Sequence, residues 1–101
     1  MELKFTPEAA VSLESIYEYL VSKNARAAVD IHNEIIEEIE RLVLYPQLAP
    51  VEPTLAGRAF EYRALVVRRT YKVIYRIEAQ RIYVVDIWDC RQNPALLKRG
   101  K

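Results

Sequence analysis

Residues 45–57, YPQLAPVEPTLAG, hold three prolines and the only interior glycine, and they divide the chain into halves of different hydrophobic period. Proline has no amide hydrogen and a fixed φ, so neither a long helix nor a central strand runs through such a segment. Upstream, apolar residues recur at helical spacing; downstream they fill short runs rich in Val, Ile and Tyr that suit a pleated surface. A chain ordered in this way has to pack a helical layer against a sheet.

After a short extended start over Glu2–Phe5, the stretch TPEAA reads as a helix entry. Thr6 can accept a backbone hydrogen bond as cap, and Pro7 suits the first turn, where its missing N–H costs nothing. Ala10, Leu13, Ile16, Tyr17 and Leu20 then mark one apolar face, and the helix is expected to end near Ser22 or Lys23. Asn24 is the cap expected for a second helix, with a buried stripe of Ala28, Ile31, Ile35, Ile39, Leu42 and Val43. Glu34, Glu37, Glu38 and Glu40 fall mostly off that stripe. Pro46 stops the helix by pushing its predecessor out of helical geometry. The short link between the two helices favours an antiparallel hairpin.

Downstream, FEYRALVV, TYKVIYRI and RIYVVDIW predict a three-stranded antiparallel meander with turns at Arg68-Arg69 and at Glu78-Ala79-Gln80. Neither turn carries Asn-Gly. The final PALLKRGK fits either a short helix or a tail. The expected fold is α+β: an N-terminal strand and an antiparallel two-helix hairpin packed on a small, mainly antiparallel β-sheet. With 101 residues it forms a single domain, 1–101, since halves of it would be too small to bury a core unaided. A hydrophobic fraction of 51% with two glycines excludes a disordered chain.

No apolar run approaches the roughly 20 residues that span a bilayer, and the first residues lack the basic start of a secretory signal. A lone cysteine, Cys90, fits a reducing compartment, so a cytoplasmic protein with no membrane partner is expected.

The net charge of +1 conceals a polarity. Met1–Thr54 carries four bases against ten acids, and Leu55–Lys101 eleven bases against four acids, which gives −6 and +7. Basic surfaces meet nucleic acid or acidic proteins, although such charges can also simply mix in space. If Arg68-Arg69 form a two-residue turn, Arg63, Leu65 and Val67 share a face with Thr70, Lys72, Ile74 and Arg76. Tyr62, Ala64, Val66, Tyr71, Val73 and Tyr75 then form the floor under the helices. Arg63, Lys72 and Arg76 would stand on an open basic face, joined by Arg91 and with Trp88 beside them. This reading depends on the turn, because a slip of one residue reverses a strand. Such bases can position a nucleic-acid backbone, stabilise a scissile phosphate, receive an acidic peptide, or only keep a sheet soluble.

The remaining candidates carry less. His32 has no second His or suitably spaced Cys for a metal site, and no metal or cofactor is implied. Cys90 reads as a small buried or half-buried residue, Asp86 and Asp89 as ion-pair partners of Arg91 or Arg63, and Tyr62, Tyr71, Tyr75 and Tyr83 as packing.

Four pieces in order carry a resemblance: FTPEAAVSLESIYEYL, AAVDIHNEIIEEIERLVLYP, YRALVVRRTYKVIYRI and IYVVDIWDCRQNP. Together they resemble the RelE/ParE superfamily of type II toxins, often labelled plasmid-stabilisation proteins. The resemblance implies that Arg63 and Lys72 match basic positions of ribosome-dependent, mRNA-cleaving members and that Arg91 matches their terminal Arg. Where many relatives have a His before that Arg this chain has Asp89, and where the RelE branch has a Tyr beyond it this chain has Leu97. Cleavage needs an acid–base pair whose second member is missing from this pattern.

The resemblance therefore favours the ParE branch, whose members poison DNA gyrase. It also implies a cognate antitoxin and a toxin–antitoxin hetero-oligomer, with Arg63, Leu65, Lys72, Arg76, Trp88 and Arg91 meeting target or antitoxin. Leu65, Val67 and Ile74 are expected to leave an apolar patch on the free protein. The alternatives are a RelE-type mRNA endoribonuclease using Arg63, Lys72 and Arg91, or an antitoxin-binding module without toxicity.

Overall fold

The computed structural model describes residues 1–91. Leu97 and the final PALLKRGK, expected to be a short helix or a tail, lie outside them. The elements are β1 (Glu2–Phe5), α1 (Pro7–Lys23), α2 (Ala25–Leu44), a single 3-10 turn (Pro53–Leu55), β2 (Arg63–Val67), β3 (Tyr71–Glu78) and β4 (Arg81–Asp89). They build a four-stranded sheet in the order β1-β4-β3-β2, with β1 parallel to β4 and the other pairs antiparallel.

The helix boundaries follow local chemistry. Thr6 Oγ1 accepts the Ala9 amide at 3.2 Å while its hydroxyl donates to Val85 O, so the cap also ties α1 to β4. Asn24 ends one helix and starts the next: its N–H donates to Leu20 O at 2.8 Å, and its side chain accepts the Ala27 amide at 3.1 Å. Orphan groups of two helix ends are thus satisfied by one residue, which folds the hairpin back without a loop.

One face of the sheet lies under the helices. Ile35, Ile39 and Leu42 of α2 pack with Val73, Tyr75 and Val84, all at most 1% exposed. Each such aliphatic side chain contributes on the order of 2 kcal/mol by leaving water. On α1 it is Ala9 that is fully buried, whereas Ala10, expected on the inner face, is exposed.

The β2–β3 turn differs from expectation. It takes three residues, Arg68–Thr70, so that Val67 pairs with Tyr71, Leu65 with Val73 and Arg63 with Tyr75. The Thr70 amide donates to Val67 O at 3.1 Å, and Arg68 and Arg69 both stand at positive φ, 55° and 57°. One extra turn residue reverses β2 relative to the predicted faces, because side chains alternate with period two. Arg63, Leu65 and Val67 therefore lie on the helix side with Tyr71, Val73 and Tyr75, and Lys72 and Ile74 lie on the other side.

That other side is not open. Residues 50–62 cross it, with Leu55 packed against Ala64, Ile74, Val85 and Trp88 in a second small core. Main-chain bonds Ala64 N to Pro50 O (3.0 Å) and Glu52 N to Tyr62 O (2.8 Å) seat the segment along the outer edge of β2. The predicted exposed patch is absent: Leu65, Val67 and Ile74 are 8%, 2% and 0% exposed. In β4 the register shifts by one where Ile74 pairs with Asp86 but Tyr75 with Val84, leaving Val85 as a bulge that feeds the second core.

Candidate functional site

The four bases expected on one surface are held separately. Arg63 is directed along the helix side, where Nη1 donates to Ala49 O at 2.7 Å and Nη2 reaches Glu61 at 3.5 Å. Its cross-strand neighbour Tyr75 donates to Pro46 O at 2.8 Å. The two side chains thus hold down residues 46–49, just where the proline segment leaves α2.

Lys72 lies across the sheet from Trp88 on the opposite face, and its ammonium donates to Glu52 Oε1 at 2.8 Å. Glu52 is 2% exposed and also accepts the Thr54 amide and hydroxyl. Burial pushes the Glu52 carboxyl up, but the hydrogen bonds from Lys72 and Thr54 outweigh it and leave its pKa below the usual value.

Arg76, further along the same face, is clamped between rings. Its guanidinium carbon is 4.4 Å from the Phe60 centroid and 4.6 Å from that of Tyr83. Its Nε is buried with no hydrogen-bond partner among the described residues, while Nη2 reaches Glu78 at 3.5 Å. The ring faces supply the negative potential that solvent would otherwise provide.

Trp88 is buried at 4% exposure and donates through Nε1 to Asp86 Oδ2 at 3.1 Å. The same carboxylate accepts the Ser12 hydroxyl, so Asp86 links α1 to β4. Trp88 and Leu65, both expected to meet a partner, are core residues here. His32 stacks edge-on against Tyr17 at 5.3 Å between centroids. Cys90 is half-buried, and burial pushes its thiol pKa up. Among the described residues no group of three His, Cys, Asp or Glu is placed to hold a metal ion.

Arg91 is different: its side chain is 61% exposed. Asp89 grips it through Nε (3.0 Å), Nη2 (2.8 Å) and the backbone N–H. This fork raises the Arg91 pKa above its ordinary value and lowers that of Asp89. The pair walls a cleft of about 490 Å³ with Ser15, Ile16, Tyr19 and Tyr71. Burial raises the Tyr71 pKa, partly offset by the charge of Arg91. Sequence reasoning identified Arg91 and its Asp89 partner but missed Tyr19, Tyr71 and the turn arginines as its neighbours. The available signal was an Arg-Arg turn without glycine or asparagine.

A two-helix hairpin on a mixed four-stranded sheet, with basic residues carried on its strands, defines the compact toxin fold that the resemblance implied. Among solved structures this chain is similar to one described as the "Chromosomal ParDE TA system from P. aeruginosa", with TM-score 0.72 and 24% identity over 88% of this chain and 95% of that one. No curated relative matches it. The family model described as "ParE toxin of type II toxin-antitoxin system, parDE" matches residues 3–94. The chain belongs to the ParE toxin family, within the RelE/ParE superfamily, and is the toxin partner of a type II toxin–antitoxin pair.

Proposed function

We propose that this toxin arrests growth by binding and poisoning DNA gyrase, and that a cognate antitoxin neutralises it in a hetero-oligomer. The observation that carries the reading is the ParE family match over residues 3–94. The placement of the bases supports it. RelE-type cleavage needs several bases and a proton-transfer group around one phosphate. Here Arg63 and Lys72 point to opposite faces, and each is engaged by an acid or a carbonyl. A binding inhibitor needs no such convergence. Of the residues expected to meet target or antitoxin, Arg91 is the exposed one with room beside it, and it is the residue this reading carries forward. Action on gyrase requires a cytoplasmic protein. Among the described residues no helix is long and apolar enough to cross a membrane.

The test is induction in growing bacteria without antitoxin, with labelled thymidine and leucine incorporation followed in parallel. Thymidine incorporation is expected to fall first. Early loss of leucine incorporation would replace this reading with the endoribonuclease. Unchanged rates with accumulating soluble protein would leave an antitoxin-binding module without toxicity.

A further inference from the structure

The sheet end that carries Arg91 brings together groups distant in sequence. Val67, Tyr71 and Asp89 are neighbours across β2, β3 and β4, and the Cys90 amide donates to Thr70 O at 2.6 Å. Arg91 therefore leaves β4 beside the Arg68–Thr70 turn. Asp89 fixes the guanidinium through Nε and Nη2, leaving Nη1 without a partner among the described residues. Arg68 is held by Glu34 at 2.7 Å, whereas Arg69 is exposed and has no ion-pair partner among the described residues.

Two features suggest that this end is built for a ligand. A long side chain at positive φ costs on the order of 1 kcal/mol, and two in succession occupy a turn where Asn-Gly would be unstrained. The β3–β4 turn holds Ala79 and Gln80 at φ 50° and 66° in the same way, so what sets this end apart is that its two strained residues are arginines. Beside the turn lies the cleft, walled by the apolar body of Ile16 and the rings of Tyr19 and Tyr71.

We propose that this cleft is the anchor site for one carboxylate side chain of the antitoxin, received by Arg91, with the exposed Arg69 in the turn alongside. The inference rests on the toxin–antitoxin reading and adds the place and chemistry of the contact. A preoriented guanidinium suits a planar carboxylate, and the apolar and phenolic walls accept the aliphatic or aromatic residue next to it. A nucleic-acid backbone fits less well. Exposed Glu14 and Glu18 flank Ser15 and Tyr19 on α1 and oppose any anion, but they act on every phosphate of a backbone laid along the cleft and on only the one charge of a single carboxylate docked on Arg91.

The experiment is charge-swap binding between the full chain and its full-length cognate antitoxin, measured by titration calorimetry. Arg91→Glu is expected to weaken binding by about tenfold or more, as loss of a desolvated charge contact does. One Asp→Lys or Glu→Lys change in the antitoxin, found by altering each acid in turn, is expected to restore it. Arg69→Glu, which leaves the Asp89 fork intact, should shift affinity in the same direction, and Arg58→Glu, outside the cleft, should not. Unchanged affinity in Arg91→Glu, or loss that no antitoxin swap repairs, would overturn the proposal. So would an effect confined to binding of a single-stranded oligothymidylate, which would make the cleft a nucleic-acid contact. If the unaltered chain and antitoxin fail to associate, it is the toxin–antitoxin reading itself that falls.

Discussion

Lys72 Nζ lies 2.8 Å from a carboxylate oxygen of Glu52, which at 2% exposure is the one buried charged residue among those described. The pair pins the proline segment to the face of the sheet that carries Trp88 and Ile74. Lys72, aligned by resemblance with basic residues of mRNA-cleaving toxins, thus has a structural task here.

Removing the ammonium leaves a buried carboxylate without its counter-ion. Lys72→Met is expected to lower stability by about 2–3 kcal/mol, less than for a fully buried pair because Lys72 is 29% exposed. The double variant Lys72→Met with Glu52→Gln should recover part of that loss. Urea titration measures both, and additive losses would show that the two residues do not interact.

The same geometry sets a pH dependence. The folded pKa values of Glu52 and Asp89 lie below their ordinary values, so the unfolded chain binds protons more readily than the folded one. Their contribution is complete above the ordinary carboxylate pKa of about 4 and is lost as pH falls through the lower folded values. The urea midpoint should therefore hold from neutral pH to mildly acidic conditions and then drop, with a shallower drop in Glu52→Gln.

Arg63 offers a separation of roles. Its bond to Ala49 O is charge-assisted at 2.7 Å, and Arg63→Met is expected to cost about 1–2 kcal/mol and to loosen residues 46–49 in hydrogen exchange. At a temperature where the variant is still folded, it should arrest growth like the parent. Loss of arrest in a folded Arg63→Met protein would return Arg63 to the working surface.

The Arg-Arg turn should trade stability against binding. Arg69→Gly relieves a side chain at φ 57° and is expected to raise stability by about 0.5 kcal/mol, after allowance for the freer unfolded chain. The same change removes a charge from the turn beside Arg91, so antitoxin affinity should fall while the urea midpoint rises. A fall in both would mean that Arg69 supports the turn itself.

Local chemistry was enough to determine the elements of this protein. Thr6, Asn24 and Pro46 mark helix boundaries through side-chain caps and a missing N–H, and their effects reach only a few residues. The helical and strand periods separate the layers equally well, because they reflect which residues leave water together. Arg91 and its Asp89 partner were legible for the same reason, being two residues apart.

Which strand face meets the helices was decided by tertiary structure. With arginines in the turn, two-residue and three-residue connections are both open to the chain, and the difference of one residue turns Leu65 and Val67 inward and parts Arg63 from Lys72. The return of residues 50–62 over the second face was equally hidden. It depends on contacts such as Glu52–Lys72 and Leu55–Trp88, made between residues far apart in the chain, and no local pattern records which surface an irregular segment will cover. The cleft beside Arg91 belongs to the same class, since a helix, a turn and a strand end meet there only after the sheet has chosen its register.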